Sequence, residues 1–98
     1  MLLGSTRVEI EFTSSIFKEG RTFVAHALEL DVSSCGRTKE IALSNLKEAV
    51  RLFLEEADKM NTLGRILAEA AYTRTKSKIG SPKFVSMQRV SLPLPILG

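Results

Sequence analysis

The chain contains few of the residues on which small proteins build disulfides or metal centres. Cys35 is its single cysteine and His26 its single histidine among 98 residues. One thiol excludes an internal disulfide and leaves a thiolate metal cluster without its other ligands. We therefore interpret Cys35 as a small buried or turn residue, and His26 as a strand residue with a structural or surface role. The glycines are scattered and form no phosphate-binding loop, so we expect neither a cofactor nor a metal.

Long hydrophobic runs are also missing. No apolar run reaches the roughly 18 residues of a candidate membrane-spanning helix. Met1-Leu2-Leu3 gives way to Gly4-Ser5 too early for a secretory signal. We therefore expect a cytoplasmic protein that does not enter a membrane. A length of 98 residues fits a single domain, 1–98, with one small core.

Charge is distributed unevenly along the chain. Residues 1–60 hold eight basic and ten acidic residues, a net charge of −2, whereas residues 61–98 hold six basic residues and one acidic residue, a net charge of +5. Residues 73–83 mix lysine and arginine with threonine, serine, glycine and proline, which is typical of an exposed basic loop. Weak phosphate contact is one reading of this loop, but we expect a solvated linker and no direct nucleic-acid binding. Its candidate phosphate contacts are Arg74, Lys76, Lys78 and Lys83.

The clearest element is an amphipathic helix from Thr38 to Lys59. Thr38 is placed to cap its first turn through the hydroxyl group, and Gly36 supplies a permissive turn just before it. A shorter second helix is predicted at Arg65–Tyr72 from its good helix formers. At 100° per residue, the apolar side chains of the long helix fall on one arc: Ala42, Leu43, Leu46, Ala49, Val50, Phe53, Leu54 and Ala57.

Three strand patterns precede this helix. Arg7–Phe12 alternates strictly between apolar and charged residues, which indicates a half-buried strand. Gly20 suits the turn of a hairpin, and Thr22–Ala27 returns as a second strand. Leu28–Ser34 is predicted as a third, short strand. Together with the helix, these patterns predict an α+β domain with the helix on one face of the sheet.

The C-terminal segment 84–96 is predicted to form a last strand. Its two prolines lie two positions apart, so both missing N–H groups fall on the same edge of the strand. That strand is therefore expected at or near a sheet edge, where another chain can pair with it. We predict a dimer or tetramer formed through this strand, and a monomer or an aggregate after truncation at Lys83. The residues expected to share its buried face are Val90, Leu92 and Leu94.

Acidic residues on the predicted strands raise the question of catalysis. Glu9, Glu11 and Glu29, with Asp31 beside them, are the residues that a metal-dependent nuclease would use to hold a divalent cation. Alternating glutamates are also what the solvated face of a sheet normally carries. We take the second interpretation and expect no enzyme.

Between Val24 and Glu56 the chain resembles the HicB-like antitoxin family. Members of that family carry a strand ending in Pro-Glu-Leu, a Gly-x-Thr turn, and a helix that begins Glu-Glu-Ala and continues Asn-hydrophobic-Lys-Glu-Ala. Leu28 stands in place of the proline, and Ile41 in place of the second glutamate. The matching positions are Leu28-Glu29-Leu30, Gly36-Arg37-Thr38, Glu40-Ile41-Ala42 and Asn45-Leu46-Lys47-Glu48-Ala49.

The resemblance implies a fold and a function. The fold is a partial ribonuclease-H-like β-β-β-α-β arrangement with sheet order 3-2-1-4, the fourth strand lying parallel beside the first. The function is binding and neutralising a small toxin that degrades messenger RNA. Many members add a helix-turn-helix or ribbon-helix-helix that binds their operator, and after Tyr72 this chain has neither pattern. The alternative is a stand-alone oligomeric regulatory or scaffold protein.

Overall fold

The computed structural model describes residues 8–75 and 77–95. Within these residues the chain forms an α+β fold, which confirms the predicted fold class. Two helices accompany six strands, and the strands form two three-stranded sheets. In chain order the elements are β1 (Glu9–Ile10), β2 (Ser14–Glu19), β3 (Thr22–Ala27), β4 (Val32–Gly36), α1 (Lys39–Lys59), α2 (Leu63–Glu69), β5 (Thr73–Arg74) and β6 (Lys78–Gly80).

The larger sheet is antiparallel, in the order β2-β3-β4. Gly20 takes a φ of 60° in the tight turn between β2 and β3, a left-handed conformation that glycine adopts without steric cost. Alternate residues of β3 point to opposite faces, and Ala25 and Ala27 are buried on the face that α1 covers. The β3 strand occupies the predicted range Thr22–Ala27, whereas the third strand begins at Val32, later than predicted.

Helix α1 begins where the sequence indicates. Thr38 has extended backbone angles, and its Oγ1 accepts a hydrogen bond of 3.0 Å from the Ile41 N–H. Gly36 allows β4 to approach the first turn, because a Cβ at this position would lie 2.6 Å from the Ile41 side chain. The Asn45 side-chain amide donates to the Cys35 carbonyl oxygen over 2.8 Å. These contacts join the end of the sheet to the start of the helix.

The core lies between α1 and the larger sheet. Alanines on both elements let the helix approach the strands closely, while the larger side chains of Leu46 and Val50 fill the remaining space. The second helix, Leu63–Glu69, begins two residues before the predicted segment and buries Leu67. The buried cluster consists of Ala25, Ala27, Leu30, Ala42, Leu46 and Val50.

The smaller sheet corrects the predicted strand order. Strand β6 lies parallel to β1 and antiparallel to β5, in the order β1-β6-β5. The parallel neighbour of the first strand therefore comes from residues 78–80, inside the segment predicted to be a basic loop. The order 3-2-1-4 in one sheet is not confirmed, since the described strands form two separate sheets.

The predicted first strand, Arg7–Phe12, is a strand only at Glu9–Ile10 among the described residues, and the two sheets separate after it. Between β1 and β2, the Thr13 N–H and hydroxyl groups both donate to the Glu29 carboxylate, at distances of 2.8 to 3.0 Å. The Glu29 carboxylate thus accepts the backbone N–H of Thr13, which in a continuous strand would donate to a neighbouring strand. Nearby, the Tyr72 hydroxyl donates to the Glu11 carbonyl oxygen over 2.8 Å. Burial, with the charges of Glu29 and Glu11, raises the Tyr72 pKa to about 12.

The predicted last strand is wrong for the described part of its range. Residues 84–95 form no strand and are exposed throughout, and Ile96 lies outside the described residues. We call residues 84–95 the arm. The arm has no neighbouring strand among the described residues, and its two prolines cannot donate a backbone hydrogen bond to one. The radius of gyration is 16.8 Å, above the roughly 13 Å of a compact domain of this length.

None of the helices in residues 8–75 and 77–95 is both long enough and apolar enough to span a membrane.

Candidate functional site

One face of the larger sheet is left without a covering layer by the described residues. Strand register places Phe17 opposite Val24, and Val24 opposite Cys35, on the face directed away from α1. We call these three residues the outer row. Phe17 is 48% exposed, Val24 is half-buried and Cys35 is exposed. The interpretation of Cys35 as a buried or turn residue is therefore wrong, because it lies in β4 on the open face.

A polar row lies beside the outer row on the same face. Ser15 is opposite His26, and His26 is opposite Ser33. His26 Nε2 lies 2.8 Å from Asp31 Oδ1. Asp31 has a φ of 56° in the turn before β4, so the strained turn residue also fixes the histidine side chain. His26 thus lies in a strand, as predicted, and its ring contacts a carboxylate whose side chain is 93% exposed.

The acidic residues considered for a nuclease have separate partners. Glu29 accepts the Thr13 donors, and Asp31 contacts His26. Glu11 forms an ion pair of 2.9 Å with Lys78 and accepts a hydrogen bond of 3.3 Å from the Ser81 N–H. Within residues 8–75 and 77–95, no three His, Cys, Asp or Glu side chains are grouped as a metal site would require.

The candidate phosphate contacts are divided between two places. Lys78 is engaged with Glu11, and its hydrogen bond lowers the pKa of that carboxyl below its ordinary value. Glu11 in turn raises the pKa of Lys78. Lys83 contributes a smaller electrostatic effect on Glu11, whereas Arg74 lines a separate groove. Lys76 lies outside the described residues. Lys78 and Lys83 thus both act on the Glu11 carboxylate, which competes with phosphate for these two cations.

An apolar groove runs between β1 and α1. It consists of two adjoining cavities of about 340 and 380 Å³, which share Ile10, Leu54 and Glu55. Its charged lining residues are of both signs: Glu55, Asp58, Lys47, Arg51 and Arg74. Sequence patterns indicated Ile10, Phe12 and Leu54 as apolar-face residues, but Ile79 lies in the segment predicted to be an exposed loop. The groove itself was not predicted, because it depends on how β1 lies against α1. Its apolar walls are formed by Ile10, Phe12, Leu54, Leu63, Leu67 and Ile79.

The arm is the largest exposed apolar segment of the described chain. Val90, Leu92 and Leu94 are 78%, 71% and 57% exposed. The structure therefore leaves the three predicted association residues in solvent and does not bury them against their own core. Exposed apolar surface of this extent is typical of a contact region for another molecule.

Comparison of the chain with models of protein families, with curated protein sequences and with solved structures finds no match.

Proposed function

We propose that the chain is a non-catalytic, protein-binding module of the HicB-like antitoxin type, which binds and neutralises a small mRNA-degrading toxin. The observation that carries the proposal is the outer row. Phe17, Val24 and Cys35 form an apolar stripe across three strands whose opposite face is already occupied by α1. A rigid sheet with one open apolar face is well suited to bind a folded partner, because little conformational entropy is lost on binding.

The residues that carry the family resemblance meet at the junction between β4 and α1. Gly36 permits the close approach of strand and helix, Thr38 caps the helix, and Asn45 ties the helix to β4. The resemblance is therefore consistent with the structure at this junction. A junction of this kind does not by itself specify a function, and the outer row supplies the surface for binding. A toxin that cleaves messenger RNA would meet this protein in the cytoplasm, which is the location we propose.

The second candidate function is a stand-alone oligomeric regulatory or scaffold protein. The arm favours this alternative, because its exposed apolar side chains suit contacts between copies of the chain and require no toxin. The two candidates place their main contacts on different surfaces. Variants in the outer row and in the arm therefore separate them.

The proposal expects a short, toxin-encoding reading frame beside the gene, and the test is co-expression with that neighbour. Expression of that neighbour alone is expected to stop growth and degrade messenger RNA, and the present chain is expected to restore growth. Phe17→Arg should abolish the rescue by placing an unpaired charge in the contact. Leu52→Arg is the matched control, because Leu52 is a similarly exposed apolar residue, at 52%, on α1.

The outcomes separate the candidates. Loss of rescue with Phe17→Arg but not Leu52→Arg would support the antitoxin function through the outer row. Equal rescue by Phe17→Arg and the unchanged chain would contradict the assignment of that surface. Absence of a toxic neighbour, together with a stable oligomer of the purified chain, would favour the scaffold function. Magnesium-dependent RNA cleavage by the chain itself, lost in Glu11→Gln, would contradict both.

A further inference from the structure

We propose that the arm of one copy binds in the groove between β1 and α1 of a second copy, so that two chains exchange arms. This inference concerns the arm and the groove, and it does not depend on a toxin or on the outer row. Four observations carry it: the chemistry of the two surfaces, their lengths, the elongated shape of the molecule, and the size of the resulting interface.

The chemistry of the arm complements that of the groove. The groove has apolar walls, and its charged lining residues are the carboxylates Glu55 and Asp58 and the cations Lys47, Arg51 and Arg74. The arm carries one charge, Arg89, and its other residues are apolar or uncharged. The match between the two surfaces is therefore apolar, and removing both from water favours their contact.

The lengths also correspond. The groove follows α1 from Lys47 to Asp58, a distance of about 16 Å at 1.5 Å per helical residue. Val90 to Leu94 spans about 13 Å when extended. Val90, Leu92 and Leu94 share one face at this spacing, so all three can enter one groove of this length.

The shape of the molecule is elongated. The segment just before the arm is held at β1, because the Ser81 N–H donates to Glu11 and Lys78 forms an ion pair with the same carboxylate. Beyond it residues 84–95 are exposed throughout, and the longest dimension of the molecule is 64 Å, against 29 and 25 Å for the other two. An exposed arm on an elongated molecule is accessible to the groove of a neighbour.

Exchange between two copies gives an interface at the small end of the usual range. Each copy contributes the five residues from Val90 to Leu94 and the thirteen residues that line its groove, eighteen in all. A standard protein interface involves about 20–30 residues on each side. Because each copy offers both an arm and a groove, the same contact forms twice about a two-fold axis and closes the dimer.

The first experiment measures association of the full chain by sedimentation at tens of micromolar. We expect a dimer, which the double variant Leu92→Ser/Leu94→Ser converts to a monomer. Val85→Ser is the matched control: Val85 is fully exposed, lies in the same arm and is outside the proposed contact, so this variant should remain dimeric. Circular dichroism should be unchanged in both variants. A concentration-independent monomer for the unchanged chain would overturn the proposal.

The second experiment distinguishes exchange from an arm folded onto its own groove. In a Cys35→Ser background, a chain with Leu92→Cys is mixed with a differently tagged chain carrying Asp58→Cys, and a short thiol cross-linker is added. We expect a mixed product at least tenfold more abundant than with Lys39→Cys, an exposed α1 residue outside the groove. Equal yields from the two sites would contradict the proposal. So would a chain carrying both Leu92→Cys and Asp58→Cys that cross-links only within itself.

Discussion

The body of the molecule, residues 8–75 and 77–80, and the arm, residues 84–95, use similar apolar side chains in opposite environments. Leu46 and Val50 are 0% and 2% exposed in the body, whereas the leucines and valines of the arm lie in solvent. Both segments show an apolar period, 3.6 residues in α1 and two residues in the arm. An apolar period therefore predicts which side chains share a face, but the burial of that face depends on a partner element.

The partners available to the two segments explain the difference. Helix α1 follows β4 after two residues, so the sheet that covers its apolar face is local in sequence. Closing so short a connection costs little entropy. The arm has no element beside it among the described residues, and its prolines oppose pairing within a sheet. In the proposed exchange, a second copy supplies the missing partner.

The comparison is tested most strongly by removing one leucine from each region. Leu46→Ala should lower the free energy of unfolding by about 2–5 kcal/mol, because it leaves a cavity in the core. Leu92→Ala should change the unfolding of the monomer by less than about 0.5 kcal/mol. Urea unfolding of both variants at low concentration measures this contrast. Comparable losses would show that the arm packs on its own body.

Gly36→Ala tests the close junction between β4 and α1. A Cβ at this position would lie 2.6 Å from the Ile41 side chain and 2.7 Å from the Ala42 backbone nitrogen. Such crowding should cost about 1–3 kcal/mol of stability, measured by urea unfolding. Gly64→Ala is the control, because no atom lies within 4 Å of its added Cβ and alanine favours helix α2. Equal losses at both glycines would contradict the steric explanation.

Thr38→Ala should have a smaller effect at the same junction. The variant removes the hydroxyl that accepts the Ile41 N–H, and loss of such a cap costs about 1 kcal/mol. Thr38→Ser keeps a hydroxyl and should retain most of the stability. Thermal unfolding of the two variants measures the difference. If serine were no better than alanine, the contribution of the cap would be refuted.

The smallest expected effect concerns Glu11, which joins the body to the start of the arm. Its pKa is lowered in the folded protein, chiefly by Lys78. Glu11 therefore stabilises the folded protein at pH values above the ordinary carboxyl pKa. This stabilisation is lost as the pH falls through the lowered pKa of Glu11 in the folded protein. Glu11→Gln should remove a small part of the pH dependence of the unfolding midpoint below about pH 5. Identical profiles for the variant and the unchanged chain would refute this contribution.

The sequence by itself determined the elements whose causes are local. The helical period, the Thr38 cap, the Gly20 turn and the range of β3 all follow from interactions between residues close in the chain. These features were predicted and are present in the structure. They suffice for the α+β class, because a one-sided helix beside an alternating strand has few ways to bury its apolar face.

Only the tertiary structure decided which strands pair and where surfaces meet. The parallel pairing of β1 with β6, the separation of the two sheets at Thr13, the groove and the exposed outer row each join residues far apart in sequence. An apolar pattern indicates which side chains lower the free energy when they leave water. It does not identify the surface that will cover them. That choice depends on backbone hydrogen bonds and shapes that exist only once the chain has folded.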